Sequence, residues 1–320
     1  MKNQGHTTYL KKIGRVSLVF LFAPESARTL AIVRILTGAC CLAYGLAIAP
    51  DLARWFGPHG VLSAAAAARL PARVGFDVIS TLPGDGAALA GFHAAFMLAA
   101  VGMTMGFWSR ASTAGVFFGL LAFHARNPLL LSRGDALLRM VTLYLAFSGA
   151  GRALSLDAWL QGRRGAPPAS PLIAPWPRRL IQIQVSVMYV CTVFWKLGGD
   201  LWVDGSAVYY AARLEDLQRL AVPLVFDNAA PVRLLTWGTL ALELALGLLL
   251  WAPRFRRPLL AAGIAFHLSI ELTMNLFLFQ WVVLAALLSF AKSRGHSTCP
   301  NLENRGHTTN FEKIGRVSPV

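Results

Sequence analysis

The chain carries apolar runs that approach the ~20 residues a helix needs to cross a bilayer. No other feature restricts its fold so tightly. Eight such runs lie at about 30–49, 87–107, 111–123, 136–149, 180–195, 232–251, 258–274 and 276–290. The third, fourth and last are short for a full crossing. The last two also read as one bent hairpin with a turn near Asn275. The predicted fold is all-α: a polytopic transmembrane helical bundle of about eight spans. Composition agrees, because only 14% of the residues are charged and 56% are hydrophobic, whereas a soluble domain carries roughly 25% charged residues.

A net charge of +15 raises nucleic acid as a partner. The arginines sit mainly between the apolar runs, as topology signals do, and no basic stripe interleaved with aromatics occurs on a soluble face. Membrane lipid is therefore the expected partner and nucleic acid is not. Cys40, Cys41, Cys191 and Cys299 have neither disulfide-framework nor metal-ligand spacing, so no metal is expected. The preference for Arg over Lys, with abundant Ala and Gly, suits a GC-rich bacterial genome. A segment at residues 3–19 recurs at 304–320. A repeat confined to the ends is not a solenoid, so it divides the chain into tails at 1–26 and 292–320 around a membrane domain at 27–291.

Positive charge marks the cytoplasmic side. With the N-terminus and its Lys2, Lys11, Lys12 and Arg15 inside, alternation places four further groups inside: Arg110, the 152–179 cluster, the trio Arg254, Arg256 and Arg257, and Lys292 with Arg294. Both termini are then cytoplasmic, in a bacterial inner membrane. The segment after the fifth run falls outside with Asp200, Asp204, Glu215, Asp216 and Asp227. Residues 206–220 there have apolar positions at helical spacing, which predicts an interfacial helix.

Charged groups within lipid are costly and tend to face the bundle interior. The candidates are Arg34, His93, His124, Asp135, Arg139, Lys196, Glu243, His267 and Glu271. Arg34 reads as snorkelling or as paired with a carboxylate such as Glu243. Asp135 and Arg139, four apart, read as a self-neutralising pair. His267 and Glu271 are also four apart, which suits a general acid/base with its orienting carboxylate or a structural hydrogen bond. Between Ile13 and Ala291 every cation is an arginine except Lys196. Arginine stays charged, whereas a buried lysine can release its proton. Lys196 therefore reads either as a marker of the outer end of its span or as a functional amine, with Asp200 and Asp204 close by in sequence.

In order along the chain, "RNPLLLSRGDALLRMVTLYLAFSGAGRALSLDAWL", "RRLIQIQVSVMYVCTVFWKLGGDLWVDGSA", "ELALGLLL" and "FHLSIELTMNLFLF" resemble successive segments of the HTTM (horizontally transferred transmembrane) domain. That domain is shared with the membrane part of vitamin K-dependent gamma-carboxylases. The resemblance covers about 27–290. It implies that Lys196 matches the base that deprotonates reduced vitamin K, a step that leads to carboxylation of a glutamate side chain at the non-cytoplasmic face. It implies that His267 matches a family histidine. Arg152 stands where the carboxylases have a histidine, three residues before Ser155. The expected function is a quinol-coupled, carboxylase-like enzyme (lyase or ligase type) acting on a peptide or small molecule at the outer face. Lys196 and His267 would be catalytic, and Glu243, Glu271 and Asp200 supporting, with Asp157 ordering the turn at 155–160. A non-catalytic membrane binding, transport or scaffold protein is the alternative.

Overall fold

A computed structural model describes residues 19–291 except 71–76, 85, 166–171 and 221–226. The repeated termini lie outside the described residues. Eight helices dominate: α1 (Arg28–Ile48), α2 (Ala87–Met105), α3 (Ser109–Arg126), α4 (Arg133–Ala146), α5 (Trp176–Leu197), α6 (Ala229–Leu249), α7 (Pro253–Thr273) and α8 (Phe279–Leu287), which a 3-10 turn extends through Phe290. Four of them, α1, α2, α5 and α6, are long and apolar enough to cross a membrane. Helices of that length and apolarity mark an integral membrane protein. Among the described residues, strand is confined to two short antiparallel segments, β1 (Glu25–Ser26) and β2 (Leu172–Ile173), which clip the connector before α5 to the chain before α1.

The helices pack through small residues, as lipid-embedded helices do when backbones approach closely. A Cβ at Gly38 on α1 would meet Thr104 of α2. One at Gly247 on α6 would meet Val190 of α5 at 2.9 Å, and one at Gly134 on α4 would meet the Phe279 backbone of α8 at 3.0 Å. Between α1, α2 and α3 the core is aromatic, with Phe123 edge-on to Phe56, Phe92 and Phe96. The outward faces are apolar too: Leu98, Phe118, Phe194, Trp195 and Leu234 are exposed. A helix apolar on all sides belongs in lipid.

The two ends of the bundle are built differently. At one end Arg126, almost fully buried, donates through Nη2 to the carbonyls of Gly57 (2.7 Å) and Leu62 (2.8 Å). Asn127 donates to the Trp55 carbonyl at 3.0 Å, so the chain after α3 is pinned to the α1–α2 connection. Ser132 and Asp135 form a capping box that starts α4. Arg139 meets His124 Nδ1 at 3.2 Å and still feels the charge of Asp135, so the expected Asp135–Arg139 neutralisation acts at longer range while each side chain has its own hydrogen bonds. At the opposite end Arg34 is fully buried and donates to the Leu154 carbonyl (2.6 Å) and to Ser109 Oγ (3.4 Å). It neither snorkels nor reaches Glu243. At that same end Arg178 joins Glu25 (2.9 Å) to the carbonyls of Ser289 and Ala291.

The interfacial helix expected at 206–220 is broken. Only Ala207–Ala211 is α-helical, followed by a 3-10 turn at Glu215–Leu217. The reason lies in the backbone. Arg219 N–H donates to the Thr273 carbonyl, and the Leu217 carbonyl accepts from Asn275 N–H, so Gln218 pairs with Met274 in an antiparallel bridge. Those groups cannot also serve a helix.

Candidate functional site

Helix α5 stops early relative to its neighbour α6. Gly247 of α6 lies against Ser186, Tyr189 and Val190 of α5. Further towards the start of α6, Thr236 and Trp237 contact the chain beyond α5: Val208 N–H donates to Thr236 Oγ1 (3.2 Å) and Trp237 Nε1 donates to the Val203 carbonyl (3.3 Å). The α5 C-terminus, with Gly198 and Gly199 behind it, therefore lies beside the middle of α6 and not beside its end. Lys196 sits at that break.

Its ammonium turns inward. Lys196 Nζ is 2.6 Å from Glu243 Oε1, with the lysine side chain 20% and the carboxylate side chain 8% exposed. The amine also lies 4.4 Å from the centre of the Trp202 ring, a cation–π contact. Asp200 is exposed at the start of the next short helix, and Lys196 turns to Glu243 in preference to it. Asp204 is engaged locally: the hydroxyl and N–H of Ser206 bond its Oδ1 and hold its carboxyl below the usual range.

A second polar chain runs beside this pair. Tyr189, seven residues before Lys196 and so on nearly the same face of α5, brings its hydroxyl within 2.6 Å of His267 Nε2. His267 Nδ1 bonds the side-chain oxygen of Gln280 on α8. Tyr189 feels the charge of Glu243, and His267 that of Lys196, so the two sets share one electrostatic site among α5, α6, α7 and α8. Among the described residues Glu243 Oε2 and Gln280 Nε2 are buried without hydrogen-bond partners, one acceptor and one donor in an apolar setting.

The structure thus joins Lys196 with Glu243 and places His267 beside them. It does not join His267 with Glu271, which instead pairs with Arg219 at 3.1 Å. Gln280 is the group that orients His267. Sequence reasoning missed Tyr189, Gln280 and Trp202. Tyr189 was within reach by stepping back two helical turns from Lys196, and Gln280 stands out as a lone amide in an apolar run.

Asp157 lies at the far end of the bundle. Ser155 caps the helix Leu156–Arg163, and Asp157 caps α3: its two oxygens accept from Trp108 N–H and Ser109 N–H, both at 3.0 Å. It thereby orders a different turn from the one expected. Trp108 and Leu154, both held in left-handed backbone conformations, are the residues that Asp157 and Arg34 bond. Gly106 also has positive φ, and a Cβ there would collide with the Arg34 guanidinium. Among the described residues no group of three or more His, Cys, Asp or Glu could hold a metal ion.

A family model for the HTTM domain matches residues 22–294. Among curated proteins, the uncharacterized protein YitO of Bacillus subtilis (strain 168) is 32% identical over 116 residues, 34% of this chain. The match spans only 37% of that relative's length. No solved structure matches.

Proposed function

This chain belongs to the HTTM domain family, and from that premise we propose that it is a polytopic membrane enzyme of carboxylase-like type whose working centre is Lys196. The carrying observation is the 2.6 Å contact of Lys196 Nζ with a carboxylate buried in the bundle. A lysine that only marks a membrane edge extends its amine towards water; this one extends it towards Glu243.

The pair can hold its proton on either partner. In a low-dielectric setting the Coulombic gain of an ion pair is offset by the loss of hydration. Passing the ammonium proton to Glu243 leaves a neutral amine at Lys196 Nζ, able to accept a proton from an acidic hydroxyl. Tyr189, His267 and Gln280 form the fixed wall of the site and set the orientation of the imidazole. A quinone or quinol such as reduced vitamin K suits the two unpartnered atoms, since Gln280 Nε2 can donate to a carbonyl oxygen and Glu243 Oε2 can accept from a hydroxyl. Such a group, when bound, supplies a phenolic proton and two-electron redox chemistry. A peptide or small molecule would be modified at the same face.

Eight crossings, with Lys196 opening to the non-cytoplasmic side of a bacterial inner membrane and both termini inside, form part of the same reading. Its support is pairing across connections. The chain after α3 bonds the α1–α2 connection, and the chain after α7 bonds the segment after α5. Each pairing asks for an additional pair of crossings beyond the four long helices. Arg110, Arg152, Arg164, Arg178 and Arg256 gather at the Asp157 end, as a cytoplasmic face requires.

The closed ion pair also suits a non-catalytic binding, transport or scaffold protein, because it can hold α5 to α6 without titrating. Two measurements separate the readings. Mass spectrometry of lipids that co-purify with the detergent-solubilised protein should find a quinone or quinol, depleted in Lys196→Ala. Consumption of added quinol by wild type and its loss in Lys196→Arg, which keeps the charge but not the removable proton, is the catalytic result. No bound quinone, or equal turnover in Lys196→Arg, moves the assignment to the non-catalytic reading.

A further inference from the structure

A cavity of about 610 Å³ opens at the Asp157 end, far from Lys196. Arg110, Arg152 and Arg164 line it, with Trp108, Ser148 and Asp157. Among the described residues Asp157 is the one carboxylate on its wall, and both its oxygens are used by Trp108 N–H and Ser109 N–H. Arg110 spends Nε on the Ser148 carbonyl (3.3 Å) and Arg152 spends Nη1 on the Leu172 carbonyl (3.0 Å). Each bond fixes a guanidinium at the cavity while leaving further N–H groups for another partner. The Arg164 side chain has no hydrogen-bond partner among the described residues. Three guanidiniums against one occupied carboxylate make an oxyanion site, and the arginine fork matches phosphate geometry.

The surroundings identify the source of the anion. Phe107 and Trp108 stack on each other at the cavity mouth and are exposed, as is Trp159 on the adjoining short helix, under the Arg163 guanidinium. Exposed aromatics beside arginines at helix ends are the composition of a membrane–water interface. Basic pockets at that level between helices take anionic lipid headgroups. We propose that this cavity is a binding site for the phosphate headgroup of an anionic phospholipid, separate from the Lys196 site and independent of any catalytic role there.

The test uses the purified full chain in a neutral detergent. Short-chain phosphatidylglycerol, short-chain phosphatidylcholine and inorganic phosphate are titrated separately while the unfolding temperature is followed. Phosphatidylglycerol should raise it and phosphatidylcholine should not. Arg110→Gln with Arg164→Gln should weaken the phosphatidylglycerol response about ten-fold, while Arg213→Gln with Arg233→Gln, the same loss of two charges at the Lys196 end, leaves it unchanged. If the double variant fails to fold, Arg164→Gln alone, at an exposed helix end, should still weaken it about three-fold. Equal responses to the two lipids, or variants that respond as wild type does, overturn the site. Inorganic phosphate acting as strongly as phosphatidylglycerol assigns the cavity to a soluble anion and overturns the lipid source.

Discussion

Removing Lys196 and removing Glu243 should not be equivalent, although each breaks the same 2.6 Å contact. Lys196→Ala strands a carboxylate in the bundle and should cost about 3–5 kcal/mol. Glu243→Gln leaves the lysine with the Trp202 ring and partial access to water, and should cost less. The double variant should then be more stable than Lys196→Ala alone, a non-additivity that a double-mutant cycle of unfolding in detergent would read directly. Additive losses would mean that the pair does not hold the bundle. At the other end, Asp157→Ala removes two charge-assisted bonds to the start of α3 and frees a strained Trp108, so a loss of about 2–3 kcal/mol is expected in the same assay. Lys196, Glu243 and His267 stood out in the sequence because each is costly in lipid. Their partners did not, since hydropathy does not encode which helix faces which. Glu271 was assigned to His267 from spacing alone, and a residue four positions away on one helix loses to Gln280 on a facing one.

Helices were far more legible than their packing. Eight apolar runs became eight helices, because run length alone dictates a helix where the backbone must satisfy itself. The largest boundary error is at α7, which begins at Pro253, ahead of the apolar run, where the missing N–H of Pro253 in the first turn does no harm. The segment at 206–220 failed for a physical reason. Its apolar spacing suits a helix, but its final residues bond the chain after α7, and a tertiary partner outweighs local periodicity. The seam between α5 and α6 makes a prediction at this scale. Gly247→Leu places bulk against Val190 and the Ser186 carbonyl, one helical turn from Glu243. Overpacking of this kind costs about 1–3 kcal/mol. It should also spread α5 from α6, so that quinone retention falls along with stability while Lys196 and Glu243 are both intact. A stable variant that binds as wild type does would separate the seam from the site.

At the scale of the molecule, the proposed eight crossings and a bundle in which only the four long apolar helices cross differ in where the connections lie. If only α1, α2, α5 and α6 crossed, Leu129 after α3 and Phe277 after α7 would lie on the same side as Arg164. Yet Asn127, two residues from Leu129, bonds Trp55 of the α1–α2 connection, and Asn275, two residues from Phe277, bonds Leu217 of the segment after α5. Hydrogen-bonded residues cannot sit on opposite faces of a bilayer. Under the eight-crossing proposal, charge accounts for the lower hydropathy of α3, α4 and α7. His124 and Arg126 close α3, Asp135 and Arg139 lie in α4, and α7 opens on Arg254, Arg256 and Arg257, so mean hydropathy falls where bundle-facing and end-facing polar groups are needed. Single cysteines at Leu129, Phe277 and Arg164, in a background lacking the native ones, test this in intact bacterial cells. A membrane-impermeant maleimide should label Leu129→Cys and Phe277→Cys without permeabilisation, and Arg164→Cys only after it. Labelling of all three only after permeabilisation would favour four crossings. It would also require the Asn127–Trp55 and Asn275–Leu217 contacts to be absent in the membrane, and with them the face on which Lys196 would meet its substrate.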